Sequence, residues 1–258
     1  MLIVIIIGAV LGYLIGDFLG MLIGAGLAYW LVRRLRKTLL GKLVQVQGQF
    51  LDSTFAVMGC LCKADGQVTR DELEMSMRLW ERLRLNEQQR ERAKAAFNRG
   101  KSAEFDLDAE LATLRQVTKG QRALLQMFLQ VQLSAIAADG MVHPAEHEMF
   151  LQIARGLGCS EAEIQQIEAM LRGGGAQAPG ATSGQSLEDA YRVLGVEEDA
   201  SDAELKRAYR RLMSQNHPDK LAGKGLPESM REMAGERTRE IGNAYDLIKK
   251  TREQQPAA

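Results

Sequence analysis

Three adjacent residues near the C-terminus, His217, Pro218 and Asp219, have types and spacing suited to chemistry. A histidine beside a carboxylate serves a hydrolase as a general-base pair. No nucleophile, metal cluster or phosphate-cradling loop accompanies this pair, so the sequence argues against catalysis within the chain. The second use is recognition. Proline fixes its own φ and biases His217 out of the helical region, so the segment is partly preorganised. Asp219 can then offer its carboxylate for a charge-assisted, bidentate bond to an arginine on another protein. Just upstream, Lys206, Arg207, Arg210 and Arg211 crowd one short stretch. A charge run is usually a solvated face. Like charges at four-residue spacing slightly destabilise a helix, however, and this set asks for an acidic partner.

These residues must be held by helices. Ser201-Asp202-Ala203-Glu204 is a capping box, and Leu205, Ala208 and Leu212 share the apolar face of the helix it opens. Ser186-x-x-Asp189 caps a shorter helix that ends at Gly195. A third helix is expected to turn Met233, Ile241, Ala244, Tyr245 and Ile248 inward against Tyr191, Leu194, Leu205 and Leu212. Two antiparallel helices with a loop at their tip, continuing from Leu221 to about Glu228, would leave His217, Pro218 and Asp219 exposed. The stretch from Asp189 to Val196, the basic helix, the tripeptide and Asn243-Ala244-Tyr245 together resemble a J-domain, the module with which DnaJ-type co-chaperones drive ATP hydrolysis in DnaK-type chaperones. The resemblance implies that His217, Pro218 and Asp219 carry the stimulation and that Lys206, Arg207, Arg210 and Arg211 carry docking. The commonest pattern in that family has an aromatic residue before the tripeptide, where this chain has Asn216.

The other end of the chain is apolar. From Leu2 to Val32 the one charged residue is Asp17, and Arg33-Arg34-Leu35-Arg36-Lys37 follows. The stretch exceeds the roughly 20 residues that a membrane-spanning helix needs. Its positive charge comes after the apolar run, so it is expected to be a retained anchor and not a cleaved signal peptide. The positive-inside rule puts the Arg/Lys cluster and the bulk of the chain in the cytoplasm, with the first residues across a bacterial inner membrane. Gly8, Gly12, Gly16, Gly20 and Gly24 recur at four-residue spacing and form one helical stripe that Ala28 extends. Such a stripe lets two helices approach closely in lipid and predicts a homodimer. Asp17 adjoins it and is expected to face a partner helix or to be protonated.

Between these ends lies a duplication. Cys62–Glu72 matches Ile136–Glu146, each with an Asp-Gly turn, and the match continues from Met75 with Met149 to Asn86 with Ser160. Capping boxes open the following helices at Thr69, Asn86 and Ser160, and Pro144 stands at a first helical position. Asp-Gly-x-Val-x-x-x-Glu also resembles half of a calcium-binding loop. The positions that must supply its first oxygen ligands are Leu61 and Lys63 in one copy, and Ala135 and Ala137 in the other, which excludes a standard calcium site. The duplicated pattern looks like a TerB-like domain. Asp65, Glu72, Asp139 and Glu146 are candidate metal ligands by that resemblance, although helix capping explains the same carboxylates more simply. Residues 173–185 contain no large apolar side chain and are expected to form a flexible tether.

The chain has 258 residues, balanced charge and a pI of about 6.9, so nothing in its bulk electrostatics calls for nucleic acid. Helix formers dominate, and no alternating β-branched run appears. The expected class is all-α: an anchor over 1–32, a basic juxtamembrane segment over 33–43, a TerB-like domain over 44–172, the tether over 173–185 and a J-domain over 186–258. Cys60, Cys62 and Cys159 form no Cys-x-x-Cys pair and are expected to be buried thiols in a reducing compartment. This order of parts resembles the DjlA family of membrane-anchored co-chaperones. It implies a DnaK-type partner, no enzymatic activity of its own, no cofactor, and a link to envelope-stress and capsule (colanic acid) signalling. The rival expectations are a dimeric scaffold at the membrane and a metal-responsive sensor, both acting through the TerB-like region.

Overall fold

The computed structural model describes residues 2–64, 81, 83–137, 142–173 and 186–254, and these form an all-α fold with no strand among them. The helices are α1 (Leu2–Leu61), α2 (Glu87–Gly100), α3 (Leu107–Thr118), α4 (Arg122–Ile136), α5 (Pro144–Gly156), α6 (Glu161–Gly173), α7 (Leu187–Leu194), α8 (Asp202–Asn216), α9 (Pro218–Lys224) and α10 (Arg231–Gln254). They fall into two units, residues 1–46 and 47–258.

In the first unit α1 is long and apolar enough to cross a membrane. Its backbone breaks at Gly16 (φ −149°, ψ 34°) and Asp17 (φ 50°, ψ −141°). Glycine accepts almost any φ/ψ, but Asp17 combines positive φ with a ψ far from the left-handed helical value that aspartate tolerates, so the break is strained at that residue. Across the break the two arms pack backbone to backbone. A Cβ on Gly12 would lie 2.0 Å from the Gly20 carbonyl oxygen, and one on Gly24 would lie 2.1 Å from that of Gly8. Gly8 also faces Ala28, whereas Gly16 sits at the break with open space around it. The glycine stripe, expected to meet a second chain, is thus filled here by the chain's own second arm. That arrangement returns the first residues to the end that carries the Arg33–Lys37 cluster.

The second unit is built around the last part of α1 and the whole of α4. Phe55, Ala56, Val57 and Met58 are consecutive and fully buried. On α4, every residue from Ala123 to Leu133 is buried. A helix buried all round is a core helix, and these two stretches are, polar Ser53, Thr54, Gln126, Gln130 and Gln132 included. Phe50 of α1 meets Phe128 of α4 edge to face at 6.4 Å. Helix α2 approaches α1 through glycines: a Cβ on Gly100 would lie 1.7 Å from the Ala56 carbonyl oxygen. The capping boxes expected at Asn86 and Ser160 form, and Pro144 opens α5 behind His143. Asp65, Gly66, Thr69, Glu72, Asp139 and Gly140 lie outside the described residues.

Helices α7, α8 and α10 pack around Tyr191, Leu194, Leu205, Leu212, Ile241, Ala244 and Ile248, as the sequence predicts, with Tyr209 and Tyr245 stacked at 4.4 Å. Two expectations change. The stretch after the tripeptide folds as α9 and a short 3-10 turn at Glu228–Met230. Met233 leaves the J-domain core: together with Leu221, Leu226, Met230 and Ala234 it joins the core built on α1 and α4. Conversely, Ala169 and Met170 of α6 join the core of α7, α8 and α10. Most of the expected tether lies outside the described residues, but the J-domain it leads to is packed on the middle domain.

Candidate docking site at His217-Pro218-Asp219

Helix α8 begins at a complete capping box, with Ser201 and Glu204 each accepting the other's backbone N–H. The hydrogen bonds from Ser201 hold the Glu204 carboxyl below its ordinary pKa. Leu205, Ala208 and Leu212 are buried, while Lys206, Arg207, Arg210 and Arg211 are exposed. None of these four cations forms an ion pair among the described residues. Asn216, which stands where the J-domain pattern has an aromatic, is buried. Its Nδ2 donates to the Leu212 carbonyl at 2.9 Å, and its Oδ1 has no partner among the described residues.

The helix stops at His217 (φ −60°, ψ 127°), the extended conformation that a following proline favours. His217 then caps α9. Its Nδ1 accepts the Asp219 backbone N–H at 3.2 Å, and Pro218 takes the first helical position, where no donor is needed. An accepting Nδ1 places the proton of a neutral ring on Nε2, which points away from this bond. The side chains of His217 and Asp219 are 53% and 67% exposed, so both are available to a partner. Tripeptide and basic face adjoin each other through the end of α8.

The carboxylate of Asp219 already has a neighbour. Arg231, the first residue of α10, donates through Nη2 to Asp219 Oδ1 and through Nη1 to Glu228 Oε1, the latter at 3.0 Å. The bonds to Glu228 and then to Asp219 raise the Arg231 pKa. Asp219 Oδ2 lies 4.0 Å from His217 Nδ1. Sequence reading missed both Arg231 and α9, although start and stop signals were present. Pro218 and Asp219 open α9, Lys224 lies in its last turn, and Gly225 (φ 115°) closes it.

A second cluster was also missed. Arg237 of α10 is fully buried, with Nη1 on Gln130 Oε1 and Nη2 on Gln126 Oε1, both at 3.0 Å. Burial pushes its pKa down to about 10, against the pull of Glu240. Two further bonds join the J-domain to the middle domain: Gln166 Nε2 to the Val193 carbonyl at 2.6 Å, and Gln47 Nε2 to the Leu226 carbonyl at 3.0 Å. Of the candidate metal ligands, Glu146 alone is described. It is buried and accepts the His143 backbone N–H at 3.2 Å, and no group of three or more His, Cys, Asp or Glu side chains is placed to hold a metal ion among the described residues.

Two known families match different parts of the chain. Residues 189–255 match the DnaJ domain family, and residues 52–169 match the tellurite resistance protein TerB family. The co-chaperone protein DjlA of Vibrio vulnificus is 43% identical over 230 residues, covering 80% of this chain and 79% of the relative. That of Aliivibrio fischeri is 41% identical over 225 residues, covering 80% of each. That of Photorhabdus laumondii is 38% identical over 262 residues, covering 95% of this chain and 96% of the relative. No solved structure matches the chain. With the tripeptide exposed beside a basic helix and identity of this extent over most of its length, the chain belongs to the DjlA family of J-domain co-chaperones.

Proposed function

We propose that the chain stimulates the ATPase of a DnaK-type chaperone through His217, Pro218 and Asp219, and that Lys206, Arg207, Arg210 and Arg211 dock it to an acidic surface of that chaperone. The observation that carries this reading is the exposed pair His217 and Asp219, held by a hydrogen bond between them at the end of an exposed cationic face that forms no ion pair among the described residues. The docking face contributes electrostatic steering and falls off with salt. The tripeptide contributes a directed, charge-assisted contact.

The apolar part of α1 supports anchoring in the inner membrane, and the Arg33–Lys37 cluster supports placing the rest of the chain in the cytoplasm. The pathway, envelope-stress and capsule (colanic acid) signalling, comes from family resemblance. A homodimer through Gly8, Gly12, Gly16, Gly20 and Gly24 uses glycine faces that the two arms of α1 turn on each other here at all of these but Gly16, so the two pairings compete.

The test is single-turnover ATP hydrolysis by a bacterial DnaK, with and without the full chain in detergent micelles, alongside His217→Gln. Stimulation by wild type and none by the variant is expected. Equal stimulation by both would remove the tripeptide from the mechanism.

A further inference from the structure

The corner that follows the tripeptide does not belong to the J-domain's own core. Leu221 of α9, Leu226, Met230 of the 3-10 turn, and Met233 and Ala234 of α10 are all buried in the cluster built on α1 and α4. One turn further along α10, Arg237 is fully buried against Gln126 and Gln130 of α4. The geometry of this corner is therefore set by docking on the TerB-like domain. Arg231 stands in the middle of the corner, and it holds Asp219. A carboxylate has two oxygens. With an internal guanidinium already donating to Oδ1, a partner arginine meets a like charge beside a partly neutralised carboxylate, and it gains both oxygens to itself only when Arg231 moves.

Resting on the reading of His217, Pro218 and Asp219 as the DnaK contact, we propose that docking of the J-domain on the TerB-like domain latches the tripeptide: α4 grips α10 at Arg237, and Arg231 on the gripped end occupies Asp219. Arg231 is a positioning residue that competes with the cation of the partner. The cationic face of α8 stays exposed, so the latched chain can still be steered to its partner. The pair of Asp219 with Arg231 is exposed, and pairs of that kind are weak. The latch therefore tunes affinity by up to about fivefold and is no absolute block. Anything that loosens the grip of α4 on α10 releases it.

The experiment uses the full chain in detergent micelles and titrates it into single-turnover hydrolysis by DnaK, reading half-maximal concentration separately from maximal rate. Arg231→Gln should lower the half-maximal concentration by up to about fivefold, leaving the maximal rate unchanged, and Arg231→Lys should restore the wild-type value. Gln126→Leu with Gln130→Leu strands the Arg237 charge and should expel α10 from its seat, giving the same drop. Adding Arg231→Gln to that pair should lower the value no further. Adding Arg237→Met to the pair makes the seat apolar, redocks the corner and should return the wild-type value. An unchanged or raised half-maximal concentration with Arg231→Gln overturns the latch. A drop with Arg231→Gln but none with the α4 pair overturns the part assigned to the TerB-like domain. Asp219→Asn separates the two levels: full stimulation by that variant removes the DnaK contact itself, whereas its loss beside an unaltered Arg231→Gln removes the latch alone.

Discussion

Stranding the Arg237 charge gives the sharpest stability prediction. The guanidinium is fully buried, its two Nη atoms are held by the side-chain oxygens of Gln126 and Gln130, and its Nε has no partner among the described residues. Burial lowers its pKa from the ordinary guanidinium range to about 10, a shift that corresponds to about 3 kcal/mol against the charged form in the folded state. The folded-state value lies below the unfolded one, so the folded chain holds this proton less tightly. The penalty is therefore present in full near neutral pH, where both states are charged, and it is relieved only as pH rises through about 10. What offsets it, beside the pull of Glu240, is the pair of glutamine oxygens, since a hydrogen bond to a charged group contributes about 1.5–3 kcal/mol.

Gln126→Leu with Gln130→Leu removes both acceptors at nearly constant volume and leaves a buried charge with no side-chain acceptor on α4, only the pull of Glu240 remaining. The expected loss is about 3–5 kcal/mol, as for breaking a buried pair from one side. Adding Arg237→Met removes the charge and fills its space with an unbranched apolar chain. Replacing buried ionic groups by apolar ones of similar size is neutral or stabilising, so the triple variant should return to within about 1 kcal/mol of wild type. The assay is urea unfolding of the full chain in detergent micelles, followed by far-UV circular dichroism. Wild-type stability in the double variant, or a triple variant no better than the double, would refute the reasoning. Either result would mean that Arg237 is not a desolvated charge held by two amides.

Gly100→Ala puts a methyl group within 1.7 Å of the Ala56 carbonyl oxygen and should destabilise the middle domain by about 1–3 kcal/mol or more, seen as a lower urea midpoint. The packed arms of α1 predict that a Leu2→Cys chain, with Cys60, Cys62 and Cys159 changed to serine, is alkylated from the side of the Arg33–Lys37 cluster. Labelling from the opposite side would show that the arms separate in the bilayer, the outcome expected for Gly12→Leu, which cannot pack against Gly20. Desolvation raises the Cys60 and Cys159 thiols above their ordinary pKa, Lys63 opposing it at the first and Glu163 adding to it at the second. Both should react slowly with iodoacetamide at neutral pH and faster as pH rises, and rapid neutral labelling would contradict that environment.

Much of the candidate site could be read from the chain because its signals are local. Capping at Ser186 and Ser201, the left-handed Gly195 and the extended His217 before proline each depend on a few neighbouring residues, and the structure places them as the spacing implies. The core of α7, α8 and α10 followed from helical periodicity for the same reason. Met233 broke the pattern. Periodicity says that a residue faces a core but not which one, and two cores flank α10. The stretch after Asp219 reads as a loop although it carries its own start and stop signals, because a seven-residue helix shows too little period to be recognised.

Arg237 lies at the limit of what sequence can reveal. In a helix with Arg231, Glu232, Glu236, Arg239 and Glu240 nearby, one more arginine is indistinguishable from its solvated neighbours. Gln126 and Gln130 are equally quiet: on an apolar helix they pass for tolerated polar positions. Their meaning arises only when the four-residue spacing of the two glutamines is set against the fork of a guanidinium from a helix more than a hundred residues away. A buried charge held by two neutral amides is a poor way to gain stability, because an apolar seat would serve at least as well. Its use is selectivity. The amides accept the arginine in one placement, and any slip of α10 along α4 strands the charge. An apolar contact made by Met230, Met233 and Ala234 alone would tolerate such a slip. The clamp therefore fixes the register of the helix that begins with Arg231, and that register decides whether Arg231 reaches Asp219.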